Sequence, residues 1–110
     1  MSSYETVFIL TPVLSEDQAK EAINKFRKIL TDTGSKIVHE ESWGLKSQSM
    51  KNSPGSSELQ DFLNDANKST GYYHLFEFAG DGSAVAQLET AFKRDERVLR
   101  FMTIKLDKLQ

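Results

Sequence analysis

With 110 residues, 38 % hydrophobic and 27 % charged, the chain has the make-up of an ordinary globular protein and room for one domain, residues 1–110, around a single core. It holds no cysteine and only two histidines, His39 and His74, which excludes disulfides, thiolate catalysis and cysteine-ligated zinc and counts against a histidine-rich metal site. A formal net charge of −2 gives no global pull toward phosphates, so any nucleic-acid binding has to come from a local basic patch.

Tyr4-Glu5-Thr6-Val7-Phe8-Ile9-Leu10 is rich in β-branched and aromatic residues and is closed by Thr11-Pro12, which predicts a first strand. Alternation puts Val7 and Ile9 on one face and Tyr4, Phe8 and Leu10 on the other, and two apolar faces suit a central strand. Ser15 and Gln18 form a capping box, after which Ala19, Ala22, Ile23, Phe26, Ile29 and Leu30 keep the three-and-four spacing of one buried helix stripe. Gly34 suits the left-handed residue that ends such a helix.

Residues 36–46 contain Ile37-Val38 and Trp43-Gly44-Leu45 and predict a second strand with a bulge at Gly44. Residues 72–78 predict a third, central strand in which Tyr73 and Leu75 alternate with Tyr72, His74, Phe76 and Phe78. Asp81-Gly82-Ser83 supplies cap chemistry for a second helix, with Ala84, Val85, Leu88, Ala91 and Phe92 on its apolar stripe and its end near Arg94. Residues 98–106 alternate Leu99, Phe101 and Thr103 against Arg100, Met102, Ile104 and Leu106, a fourth strand.

This order, βαββαβ, with right-handed crossovers gives an α+β, ferredoxin-like domain: a four-stranded antiparallel sheet with two helices on one face. Strands one and three are then central and strand two lies at an edge. The other face carries no helix, so Tyr4 or Tyr72, if directed there, is available to a partner.

Residues 47–67 do not fit a plain strand connection. Residues 47–56 are polar and turn-rich around Pro54-Gly55, and Ser57-Glu58-Leu59-Gln60 is a further capping box. Leu59, Phe62, Leu63 and Ala66 follow at i, i+3, i+4 and i+7, which predicts an extra short amphipathic helix over about 57–66. A helix this short persists only if Leu59, Phe62 and Leu63 dock, either on the domain itself or on a partner.

Catalytic signals are weak. Adjacent strand carboxylates such as Glu40 and Glu41 point to opposite faces and read as solvated charges. His39 and His74 can approach across strands, but without a placed nucleophile or third ligand they read as surface or half-buried histidines. Gly80-Asp81-Gly82-Ser83 matches neither the P-loop nor the dinucleotide fingerprint and reads as a helix cap. No enzyme, cofactor, metal or small-molecule substrate is predicted.

The charges with a possible binding role come late, in Lys93-Arg94-Asp95-Glu96-Arg97 and then Arg100, Lys105 and Lys108. Arginine presents a planar fork of donors matched to phosphate oxygens, so Arg94, Arg97 and Arg100 with a nearby Lys46 form a candidate backbone-contacting site. Asp95 and Glu96 dilute that charge, and a solvated, ion-paired turn is the competing reading.

No run reaches the roughly 18 apolar residues of a membrane span, and the Met1-Ser2-Ser3 start lacks the basic and apolar regions of a signal peptide. A cytoplasmic location, with no membrane partner, is the expectation.

Four stretches in order, Tyr4-Glu5-Thr6-Val7-Phe8-Ile9-Leu10, Glu41-Ser42-Trp43-Gly44-Leu45-Lys46, Lys68-Ser69-Thr70-Gly71-Tyr72-Tyr73 and Arg94-Asp95-Glu96-Arg97-Val98-Leu99-Arg100-Phe101, resemble the bacterial small-subunit ribosomal protein S6 family. The resemblance covers about residues 3–46 and 68–108. It implies the ferredoxin-like fold, binding to the central domain of small-subunit ribosomal RNA, pairing with ribosomal protein S18, and no catalysis. By position it makes Tyr4, Lys46, Arg94, Arg97 and Arg100 the expected RNA contacts.

The family's Leu-Ala-Tyr-Pro-Ile run and its preceding basic residue, which complete strand two, are absent after Lys46, and the chain stops at Gln110 without the basic tail of many relatives. An alternative expectation is therefore an engineered or divergent scaffold of this family. Its segment 47–67 would be remodelled, its ribosomal role lost, and Leu59, Phe62 and Leu63 would serve another partner.

Overall fold

Two-residue alternation along the first strand divides the molecule into two apolar layers. In a computed structural model, which describes residues 2–46 and 70–106, that strand is β1 (Ser2–Leu10), followed by α1 (Glu16–Asp32), β2 (Lys36–Lys46), β3 (Gly71–Gly80), α2 (Gly82–Arg94) and β4 (Val98–Lys105). The strands form one antiparallel sheet in the order β2-β3-β1-β4, so the two strands with apolar residues on both faces are central. This is the ferredoxin-like arrangement expected from the element order. The extra helix expected over 57–66, with Leu59, Phe62 and Leu63, lies outside the described residues.

Both helices start where their sequences provide caps. The Ser15 hydroxyl accepts from the Gln18 amide at 3.1 Å while the Gln18 side-chain oxygen accepts from the Ser15 amide at 2.9 Å. Asp81 Oδ1 accepts from the Ala84 amide at 3.1 Å. Gly34, at φ 83°, turns the chain out of α1 in the left-handed region that side chains disfavour.

The helix side of the sheet holds the main core. Phe8, Leu10, Phe76 and Phe78 meet Ala19, Ala22, Ile23, Phe26 and Leu30 of α1 and Leu88 and Phe92 of α2. The Phe8 ring lies 5.2 Å from Phe26 and 5.0 Å from Phe92, centroid to centroid. Val7, Ile9, Tyr73, Leu75 and Ile104 form a second cluster on the other face.

The two tyrosines raised as partner-facing residues take the helix side instead. Tyr4 packs with the main core and stacks on Phe78 at 5.6 Å, and the Tyr72 hydroxyl donates to the Leu14 carbonyl at 2.7 Å. Even-numbered residues of β1 and β3 share the face of Phe8 and Phe76, so alternation fixes this direction.

Edge strands carry the irregularities. The predicted bulge at Gly44 is present, with φ 67° and a register shift between Ser42 and Gly44, and a second shift, not foreseen, lies between Ile37 and His39. Gly71, at the start of β3, has a different constraint. A Cβ there would sit 2.5 Å from the Leu10 carbonyl oxygen and 2.6 Å from Ile9 Cγ2. Backbone cannot yield as a flexible side chain does, so Gly71→Ala is expected to cost about 1–3 kcal/mol in chemical denaturation.

Candidate nucleic-acid interface

The topology collects most of the candidate basic residues at one end of the domain. β1 ends at Leu10 beside Tyr72 and Val98, and β2 ends with Lys46 paired to Gly71. α2 begins beyond the opposite end of β3, at Gly80, and runs back, so its last residue, Arg94, returns to the Val98 end with Arg97 and Arg100. Lys46 and Arg100 lie on opposite edge strands, three strand spacings or about 14 Å apart.

Tyr4 is not part of this group. It pairs with Phe78 and Lys105 at the far end of β1, roughly 20 Å along the strand from Leu10.

The three arginines differ in their surroundings. Arg94 is exposed in the last turn of α2, where its charge and that of Lys93 complement the negative end of the helix dipole. With Lys25, Gln87 and Thr90 it lines an open groove of about 480 Å³ between the helices. Arg100 is exposed on the helix-free face, beside Ile9 and next but one to Tyr73, and its charge opposes the upward push that burial exerts on the Tyr73 hydroxyl.

Arg97 is held by the protein itself. Its backbone amide and Nε donate to Asp95 Oδ1 at 3.0 and 2.9 Å, and Nη2 donates to Oδ2 at 2.6 Å. Asp95 is nearly buried, and Lys25 Nζ stands 3.5 Å from Oδ2, the oxygen that also accepts from Arg97 Nη2. These donors, led by the Arg97 side chain, lower the Asp95 carboxyl to about 2. The Arg97 carbonyl accepts from the Thr11 amide at 2.7 Å, which ties the same turn to the end of β1. The ion-paired reading of this turn therefore describes Arg97, while Arg94 and Arg100 have exposed side chains.

Sequence reasoning missed the role of Asp95, treating it only as charge dilution. Its signal was its position, directly after the last helical residue and two before an arginine, where a carboxylate can cap a turn.

The histidines are not a site. His39 bonds Glu41 at 2.7 Å on the helix-free face, and the other Glu41 oxygen accepts from Trp43 Nε1 at 2.9 Å. His74 is buried on the helix face, its Nε2 2.7 Å from Glu40, which also receives the Arg27 guanidinium. Thus the two histidines lie on opposite faces, and Glu40 is a paired carboxylate in place of the solvated one expected. Burial pushes the His74 pKa down against the opposing pull of Glu40. Among the described residues no cluster could hold a metal ion, and no helix is long and apolar enough to cross a membrane.

Residues 3–105 match the family described as Ribosomal protein S6. The small ribosomal subunit protein bS6 of Flavobacterium johnsoniae is 49 % identical over 108 residues, covering 98 % of this chain and 84 % of that protein. The bS6 protein of Phocaeicola vulgatus is likewise 49 % identical over 108 residues, covering 98 % and 83 %. The crystal structure of 30S ribosomal protein S6 from Thermotoga maritima superposes with a TM-score of 0.73 at 20 % identity, covering 94 % of this chain and 86 % of that one, a likeness of fold.

Proposed function

The chain belongs to the ribosomal protein S6 family, and from that premise we propose that it binds small-subunit ribosomal RNA together with ribosomal protein S18. The family is one of structural, non-enzymatic ribosomal proteins. The reading is carried by the matched span, 3–105, which includes the basic end of the domain. Exposed Arg94 and Arg100 are the phosphate contacts in this reading, Lys46 marks the opposite edge, and Arg97 keeps the turn between the first two in shape.

Near-full-length identity to bS6 proteins does not favour a scaffold that has lost this role. Phosphate contacts release counterions, so affinity for a central-domain ribosomal RNA fragment, measured with S18 present, is expected to fall steeply as salt rises. Arg94→Ala with Arg100→Ala is expected to flatten the logarithmic salt slope by roughly 1–2. Binding at low salt no tighter than that of a charge-matched control protein would refute the reading.

A further inference from the structure

His74 is a buried titratable side chain on the helix side of the sheet, away from the exposed arginines. Its ring stands 5.5 Å from Phe8 of β1 and 4.8 Å from Phe76 of its own strand, centroid to centroid. Among the described residues two charged groups face it, Glu40 of β2, 2.7 Å from Nε2, and Arg27 of α1. Nδ1 is buried and has no hydrogen-bond partner.

These contacts fix how the ring is protonated. Arg27 donates to both Glu40 oxygens, so Glu40 is an ionised acceptor and Nε2 carries the proton donated to it. Nδ1 is then a bare lone pair, and an unmet neutral acceptor costs less than an unmet charged donor. A second proton, on Nδ1, sets an N–H against no acceptor and a cation among phenyl rings. Glu40 offsets little of this, because the oxygen bonded to His74 already accepts from Arg27 Nη2.

We propose that His74 is an acid-sensitive latch: uncharged, it pins the edge strand β2 through Glu40, and a proton taken up at Nδ1 releases β2 from β3. Among the described strands β2 pairs only with β3, that pairing carries two register shifts, and Ser42 of β2 lies opposite His74. Water therefore reaches the ring most readily by opening this ladder, while β3 stays held on its other side by β1. Burial lowers the His74 pKa below its ordinary 6.5 despite Glu40, so the contribution of the neutral ring is complete above that pH and is lost as pH falls below it. His39 acts in the opposite sense: its bond to Glu41 raises its pKa, and the stability this gives is lost as pH rises. Asp95, titrating at about 2, stays ionised throughout this range.

Imidazole nitrogen shifts and amide hydrogen exchange test the latch in the full chain, with His39→Gln as the background that removes the opposing titration. Near neutral pH the His74 nitrogens are expected to show a proton on Nε2 and none on Nδ1, and the ring to titrate with a midpoint below 6.5. A proton on Nδ1, or a midpoint at or above 6.5, would overturn the proposal. From about pH 7.5 to about pH 5.5, protection factors of β2 amides bonded to β3 are expected to fall several-fold more than those of β1 amides bonded to β4. His74→Phe, which cannot titrate, should abolish that difference. No fall, an equal fall in both ladders, or the same difference in His74→Phe contradicts the latch. The first two measurements leave His74 in place, so they decide even where His74→Phe fails to fold, and none of the readouts involves RNA.

Discussion

Phe8→Ala is expected to lower the free energy of unfolding by about 3–5 kcal/mol. Phe8 is fully buried at the centre of β1, and its ring touches one aromatic from each helix, Phe26 and Phe92, as well as Phe76 beside it on β3. Removing it takes away burial and leaves a cavity bounded by two helices and a central strand, which cannot all move inward together. A domain of this size has a total stability of about 5–15 kcal/mol, so the variant should unfold at much lower denaturant with little change in slope. Phe8→Leu should recover much of the loss, because it refills most of the volume. A loss below about 1 kcal/mol for Phe8→Ala would mean that the helices do not close on the sheet as described.

Arg97→Ala is expected to cost about 2–3 kcal/mol, more than removal of an exposed arginine, because it strips the guanidinium from a nearly buried carboxylate and leaves it the residue-97 backbone amide and Lys25. The pH dependence identifies the cause. In the folded protein the Asp95 carboxyl titrates at about 2, below its ordinary value of 3.8. Its contribution, about 2 kcal/mol, is therefore complete above roughly pH 4 and is lost as pH falls toward 2. In Arg97→Ala most of that acid-limb slope should disappear, and Asp95→Asn should remove it too. Coupling between the two substitutions in a double-mutant cycle should be of order 1–3 kcal/mol. If the proposed RNA reading holds, weaker RNA affinity of the folded fraction of this variant is expected to come with altered protection of the Thr11 amide, since that amide bonds the Arg97 carbonyl.

The sheet was readable from the sequence because period and packing agree along it. Both central strands show apolar residues at every position from Val7 to Leu10 and from Tyr72 to Phe76 apart from His74, which only a strand covered on two faces requires. The capping box at Ser15 and the glycine at 34 set the ends of α1 for equally local reasons. The direction of Tyr4 was readable too, once alternation from Phe8 is counted back, and the notion of a partner-facing tyrosine set that count aside.

What escaped is non-local. The pairing of Glu40 with His74 and Arg27 depends on a helix and two strands meeting, with 34 residues separating Glu40 from His74. A basic cluster in sequence also hid a division of labour. Arg94 and Arg100 are exposed, whereas Arg97, in the same short stretch, is engaged by a carboxylate whose burial no spacing rule reveals.

Every register shift in the sheet adds its extra residue to an outer strand: Val38 and Trp43 on β2, and Leu99 on β4. An outer strand ordinarily offers a straight row of unpaired amides and carbonyls to any passing chain, and an inserted residue bends that row and breaks its spacing. Val38 and Leu99, though apolar and exposed, thus mark where edge-to-edge growth is interrupted on both sides. The strongly apolar centre of the sheet is thus flanked on both sides by poor templates for aggregation.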